Sequence, residues 1–219
     1  MQKRFLLTAV IFISMSLACS SAEEKLPLAQ QAIQTPIVSV PKVYTFTATP
    51  IWADEFDTPG LPDSKIWSYD VGGSGWGNNE LQYYTEADKD NVHIENGLLT
   101  IEAKKENFGG KNYTSARIVS KGKKDFLYGK VEVRAKVPVG RGNWPAIWTL
   151  ASQSDYGGQY WPDNGEIDIL EHVGFDPTVM HFSVHTKAFN HVIGTQKTST
   201  TKVDDFDTAF HVYSIEWTP

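Results

Sequence analysis

Three carboxylates crowd one short stretch of the chain, Gly165-Glu166-Ile167-Asp168-Ile169-Leu170-Glu171-His172. Ile167, Ile169 and Leu170 mark it as a strand of the buried type. Like charges on one strand face repel, so a purely structural account needs a solvated edge strand with incidental acids. The spacing offers a chemical account. Glu166 and Asp168 are two residues apart and share a strand face. Glu171 is five from Glu166 and points away in a regular strand, but a single β-bulge near Ile169-Leu170 inserts a residue and returns it to the same face. Two long acidic side chains then converge on one bond. Cleaving a glycosidic bond with retention of configuration takes carboxyl groups roughly 5–5.5 Å apart, one as nucleophile and one as general acid/base. Asp168, between them, is expected to hydrogen-bond to one of the pair and to help keep Glu171 protonated by charge repulsion.

Other residues extend the pattern. Trp144 and Trp148 are four apart and share a strand face. They are either two core tryptophans or a platform for sugar rings, whose apolar faces suit flat aromatics. Arg117 lies in a strand-like run and is costly to bury unpaired, so it implies a salt bridge or a ligand contact. Trp161 precedes the acidic strand and either borders a cleft or packs a loop. His181 and His185 are four apart with Ser183 between, which raises a rival reading: a metallohydrolase using His172, His181, His185 and Asp168. No His-Glu-x-x-His run supports it, and His181 also reads as an ordinary sheet histidine. Gly72-Gly73-Ser74-Gly75-Trp76-Gly77 does not lead from a strand into a helix, so it reads as a rim loop rather than a phosphate cradle.

The elements that must position these residues are short strands. Val131, Val133, Ala135 and Val137 alternate with Lys130, Glu132, Arg134 and Lys136, the period of a strand with one dry face. Asn96-Gly97, between Val92–Glu95 and Leu99–Ala103, predicts a hairpin closed by a type I′ turn. Further strands are expected over Ala116–Ser120, Ala146–Leu150, Glu166–Glu171, Met180–Thr186 and Phe210–Trp217. Many short strands with Gly and Pro turns, and no amphipathic helix, predict an all-β sandwich or jelly roll.

The acidic hexad Glu166-Ile167-Asp168-Ile169-Leu170-Glu171 resembles the signature of glycoside hydrolase family 16 in its bulged, laminarinase-like form. The resemblance runs from Trp52 to Pro219. It includes Trp52-Ala53-Asp54-Glu55-Phe56, Gly75-Trp76-Gly77-Asn78-Asn79-Glu80-Leu81-Gln82-Tyr83-Tyr84, Ser115-Ala116-Arg117-Ile118 and Gly142-Asn143-Trp144-Pro145-Ala146-Ile147-Trp148. It implies a jelly roll with a concave sheet as an open cleft, retention of configuration, and Glu166 as nucleophile, Asp168 as its helper and Glu171 as acid/base. It also implies that Asn79, Glu80 and Arg117 hydrogen-bond sugar hydroxyls. Trp144 and Trp148 would stack on sugars beside the nucleophile, and His185 would line the acid/base side. Glu55 matches a position that helps hold a structural calcium in many relatives, although an acid in a turn has other uses. No cofactor is implied for catalysis. The implied activity is endo-hydrolysis of β-1,3-glucan such as laminarin, with mixed-linkage glucan as a second substrate. Agar or carrageenan hydrolysis and glucan binding without catalysis are the alternatives. In the family more strands follow the run that ends at Pro219, so the catalytic domain, placed at 48–219, is expected to be incomplete, and poorly soluble and weakly active as it stands.

Lys plus Arg is 20 against 26 Asp plus Glu, a net charge of −6 that argues against nucleic acid and suits a neutral polymer. A monomer is expected. Residues 1–18 read as an export signal: Lys3 and Arg4 precede the apolar run Phe5–Ala18, too short to span a bilayer comfortably. Cys19, the only cysteine, follows Ser16-Leu17-Ala18 and resembles the lipidated cysteine of bacterial lipoproteins, though Ser16 stands where Leu is usual. Plain cleavage after Ser20-Ser21-Ala22 is the alternative. Residues 19–47 are polar, contain proline and read as a tether. The chain is therefore expected to be exported, either secreted or held at a membrane through the lipid alone. In a bacterial host, labelled palmitate should enter the wild type and not Cys19→Ser; equal labelling of both, or of neither, supports plain secretion.

Overall fold

The computed structural model describes residues 42–219; the expected export signal, Cys19 and most of the expected tether lie outside the described residues. Tyr44–Pro219 form one compact unit. Its strands are β1 (Ser68–Tyr69), β2 (Gln82–Tyr84), β3 (Val92–Glu95), β4 (Leu98–Ile101), β5 (Tyr113–Ser115), β6 (Ile118–Val119), β7 (Gly129–Ala135), β8 (Ala146–Leu150), β9 (Glu166–His172), β10 (Val179–His185), β11 (Lys197–Lys202) and β12 (His211–Trp217). Among the described residues the only helical element is a 3-10 turn at His191–Ile193.

The central layer is an antiparallel sheet in the order β11-β10-β9-β8. Behind it lies the antiparallel pair β7–β12, whose register sets Val131 opposite Ile215 and Val133 opposite Tyr213. The core fills the space between. Leu170 and Met180 are fully buried and pack with Ile169, Val137, Phe206 and Tyr213, flanked by Val131, Ala135, Ile147 and Ile215. The alternation read in β7 is the observed one: its lysine, glutamate and arginine are exposed and its small apolar residues are turned inward. The architecture is the expected all-β sandwich jelly roll.

Smaller strand pairs build the rim. The β3–β4 hairpin pairs Glu95 with Leu98 across Asn96 and Gly97, both at positive φ (54° and 73°), as a type I′ turn requires. Buried Asn91 ties this hairpin to the β2–β5 pair. It accepts from the Thr85 hydroxyl at 2.8 Å and donates to the Glu102 carbonyl at 3.1 Å and the Thr114 hydroxyl at 3.0 Å. The strand expected over Ala116–Ser120 is interrupted. Only Ile118–Val119 (β6) forms, because the chain changes partner from β2 to β1 after Ser115; the Asp70 amide donates to the Arg117 carbonyl at 3.0 Å in the β1–β6 register, and the two side chains pair. Sequence reading missed β1, β2 and β5, which are two, three and three residues long, and β11. β11 is exposed at every position and carries no apolar alternation; its backbone bonds to β10 place it in the sheet, helped by the Ser183–Thr198 hydroxyl contact at 3.0 Å.

The core packing generates a stability prediction. Leu170→Ala removes a fully buried side chain and should cost about 2–5 kcal/mol, whereas Leu170→Met should cost less than about 1.5 kcal/mol. Urea melts measure both; an alanine variant as stable as the wild type would show that the bulge side of β9 does not anchor the core.

Candidate active site

Register places the three carboxylates. In β8–β9 pairing the partners run Ala146–Glu171 and Ile147–Leu170, then Trp148–Asp168 and Leu150–Glu166, so Ile169 has no partner on β8. β10 shows the same slip, with His181 opposite Glu171 and Ser183 opposite Asp168. The bulge therefore sits at Ile169-Leu170, where the spacing of the acids requires it. Its result is three rungs on one face of the sheet: Leu150–Glu166–His185, Trp148–Asp168–Ser183 and Ala146–Glu171–His181. Leu170, Met180 and His172 take the other face, toward the core.

Each glutamate has its own indole. Trp161 Nε1 donates to Glu166 Oε2 at 2.5 Å, and Trp144 Nε1 donates to Glu171 Oε1 at 2.9 Å. Asp168, 4% exposed, shares a hydrogen bond with Glu166 and lies 3.2 Å from His185 Nε2. Burial, then the charges of Glu166 and Glu171, push its carboxyl up to about 8, so at neutral pH Asp168 holds the proton and donates it toward Glu166. Burial also raises Glu166, against the opposing pull of Trp161, Asp168, His191 and Arg117, all of which favour its anion. Glu171 is raised by burial and by the charge of Glu166. This corrects the sequence reading at one point: the repulsion that keeps Glu171 protonated comes from Glu166, because Asp168 is itself neutral.

The loops that deliver the indoles are fixed by close backbone contacts. A Cβ at Gly174 would collide with the Gly140 carbonyl, and the Gly174 amide donates to the Asn143 carbonyl at 2.9 Å. Only glycine there lets the segment carrying Trp144 approach the end of β9. On the other side Asp163 accepts from the Gly158 amide at 2.8 Å, and Asn164 Nδ2 donates to the carbonyls of Tyr156, Gln159 and Tyr160, which folds the loop that presents Trp161.

Trp144 is 49% exposed, which excludes the core reading for it. Trp148 is half-buried, and one of its faces is covered. The Arg117 guanidinium lies 4.6 Å from its ring and 4.6 Å from that of Trp76, a cation held between two indoles, and it also pairs with Asp70 at 2.9 Å. Glu80 accepts from Gln82 Nε2 at 2.5 Å and from the Tyr84 hydroxyl at 2.9 Å, and Tyr84 rests against Trp76. Asn79 is exposed at φ 57° in the adjoining turn. Sequence reading gave Asp70, Tyr84 and His191 no role; their signals are single residues outside the acidic hexad.

The metallohydrolase reading fails on geometry. His172 points to the core and packs 4.6 Å from the Phe206 ring, while His181 and His185 face the cleft. Among the described residues no group of three His, Cys, Asp or Glu side chains converges to hold a metal ion. Glu55 is exposed; its neighbour Asp54 is the engaged acid, accepting from Trp67 Nε1 at 2.8 Å.

The proton on Asp168 has a measurable consequence. Its folded value of about 8 stands above the ordinary 3.8, so its contribution to stability is full below about pH 3.8 and is lost as pH rises toward about 8. Asp168→Asn keeps a neutral side chain and removes this dependence. The melting temperature of the Asn variant minus that of the wild type should therefore grow from about pH 4 to about pH 9; a flat difference would mean that Asp168 is ionised throughout.

Comparison with known proteins agrees with this geometry. A β-glucanase from Rhodothermus marinus is 58% identical over 169 residues, which is 77% of this chain and 59% of that protein. A glucan endo-1,3-β-glucosidase from Cryptopygus antarcticus is 39% identical over 174 residues, 77% of this chain and 62% of that protein. The chain thus spans about three fifths of these relatives' lengths. The X-ray structure of the laminarinase from Rhodothermus marinus superposes with a TM-score of 0.77 at 58% identity, covering 77% of this chain and 67% of that one. The sequence profile described as glycosyl hydrolases family 16 matches residues 79–219. By that match, and by the bulged acidic strand at its centre, the chain belongs to glycosyl hydrolase family 16.

Proposed function

We propose that this chain carries the catalytic face of an endo-acting β-1,3-glucanase that works with retention, with mixed-linkage β-glucan as a second substrate. The observation that carries the reading is the bulge at Ile169-Leu170, which puts Glu166 and Glu171 on one face with protonated Asp168 between them. Glu166, tied to Trp161, attacks the anomeric carbon. Glu171 gives its proton to the leaving glycosidic oxygen, and a glycosyl ester forms on Glu166. Glu171 then takes a proton from water, whose oxygen displaces the ester and restores the configuration. As negative charge leaves the Glu166 carboxylate on attack, its hydrogen bond from Asp168 weakens; as it returns, the bond reforms and stabilises the departing anion. Trp144, exposed beside Glu171, offers an aromatic face to a sugar ring. Arg117, between Trp76 and Trp148, holds the cleft wall opposite. A neutral glucan suits a chain of net charge −6. The named activities of the similar proteins support the same substrate class.

Incubation with laminarin should release reducing ends, and NMR should show the β-anomer first; early α product would overturn retention. Glu166→Ala and Glu171→Ala should each lower kcat on laminarin by about a thousandfold or more. On an aryl β-glucoside oligomer, azide should rescue the first as an α-glycosyl azide and the second as a β-glycosyl azide. The reverse pairing would exchange the two roles, and binding of laminarin without any turnover would support the glucan-binding alternative.

A further inference from the structure

We propose that His191 is a positioning residue for Glu166, acting through Trp161: its ring packs against the indole that donates to the carboxylate and holds that indole in place. The inference rests on the reading of Glu166 as nucleophile but concerns a residue that lies outside the acidic strand, in the 3-10 turn after β10.

The loop that carries His191 is built to hold it still. Asn190, 3% exposed, is its hub. Asn190 Nδ2 donates to the carbonyls of Thr186 at 3.1 Å and Lys187 at 3.3 Å, while its Oδ1 accepts from the Ile193 amide at 3.3 Å. The Asn190 amide donates to Thr195 Oγ1 at 3.2 Å, and that hydroxyl donates to the Ala188 carbonyl at 3.0 Å. Gly194, at φ 67°, closes the turn in a conformation that other residues adopt only with strain. The bonds converge on the residue immediately before His191 and fix the backbone of the turn from which its exposed ring extends.

That ring lies 4.9 Å from Trp161 at an interplanar angle of 34°, while the His185 ring stands 5.3 Å from His191 and 6.0 Å from Trp161. The indole is thus braced from two strand-and-loop elements, and its Nε1 is aimed at Glu166. An imidazolium over an indole is attracted to the ring face as well as to the anion beyond it. The charge of His191 lowers Glu166, as does that of Arg117, and it also lowers His185, which burial already favours as neutral. The other titratable groups around this corner are Glu171 and the protonated Asp168 on the cleft face, and the Lys187–Asp163 ion pair at 3.5 Å on the two loops.

The test uses the whole chain with His191→Phe, which keeps a flat ring without charge, and His191→Ala, which loses both. The indole N–H resonance of Trp161, assigned with Trp161→Phe, reports the Glu166 carboxylate directly and is followed against pH by NMR. Its midpoint should move to higher pH in both variants. The resonance should keep its position in His191→Phe and shift in His191→Ala as the indole loosens. On laminarin, kcat should fall about threefold to tenfold with KM little changed, and the acid limb of the pH profile should move the same way as the midpoint. An unmoved midpoint and an unmoved resonance in both variants overturn the proposal even if the enzyme is active. A moved midpoint in a chain that cleaves no glucan upholds the positioning role and overturns the catalytic reading instead. If His191→Ala does not fold, His191→Phe alone decides the electrostatic part.

Discussion

One extra residue in one strand is the constraint on which the rest depends. A regular β9 would divide its acids between two environments, with Glu166 and Asp168 in the cleft and Glu171 turned into the core. The slip at Ile169-Leu170 avoids this and has a second effect. It leaves adjacent apolar residues for the interior, Ile169 at 3% and Leu170 at 0% exposure. The same irregularity that aligns the carboxylates therefore also anchors the strand, since Leu170 packs with Met180 and Phe206 beneath the carboxylate face. The alignment of the acids and the packing of the core share a single backbone feature and cannot be altered independently.

Electrostatics follows from that alignment. Three carboxylates on one sheet face cannot all be ionised at neutral pH. The structure distributes the protons unequally by giving each acid different neighbours. Asp168, the most buried and flanked on both sides, keeps its proton. Glu166 collects the groups that favour an anion, and Glu171 faces that anion with one indole N–H as its polar partner. Both indoles arrive from loops, not from the sheet. For that reason the local constraints at Gly174, Asp163 and Asn164 bear on the chemistry although none of these residues touches the reacting atoms.

Much of this was legible in the sequence where a physical rule has a short period. The alternation of β7, the Asn96-Gly97 turn and the need for a bulge between Asp168 and Glu171 are all statements about residues a few positions apart. The rest depends on the neighbour supplied by a distant strand. β11 has no apolar alternation, so no local pattern announces it. The break before Ile118 exists because the chain passes from β2 to β1 as its partner, and Asp70, far earlier in the chain, meets Arg117 through both backbone and side chain. Trp161 was read as either a cleft border or loop packing. The choice between them was invisible until Glu166 stood beneath its N–H. The charge balance within the triad was misjudged for the same reason: which acid keeps the proton depends on relative burial, and burial is a property of the folded chain.

The polar edge strand has a consequence for how such a cleft can diversify. β11 lies in the central sheet through backbone pairing with β10, and none of its side chains enters the core. Thr198 and Thr200 stand opposite Ser183 and His181, so they continue the rungs of the carboxylate face outward. Replacing them alters the chemical texture of the cleft margin while the ladder that holds the strand is unchanged. Mutational drift is inexpensive here and severe one strand further in, where Met180 and Leu170 fill the interior. The fold thus separates a tightly packed acidic strand from an adjustable border by the width of a single hydrogen-bonded strand, about 4.8 Å.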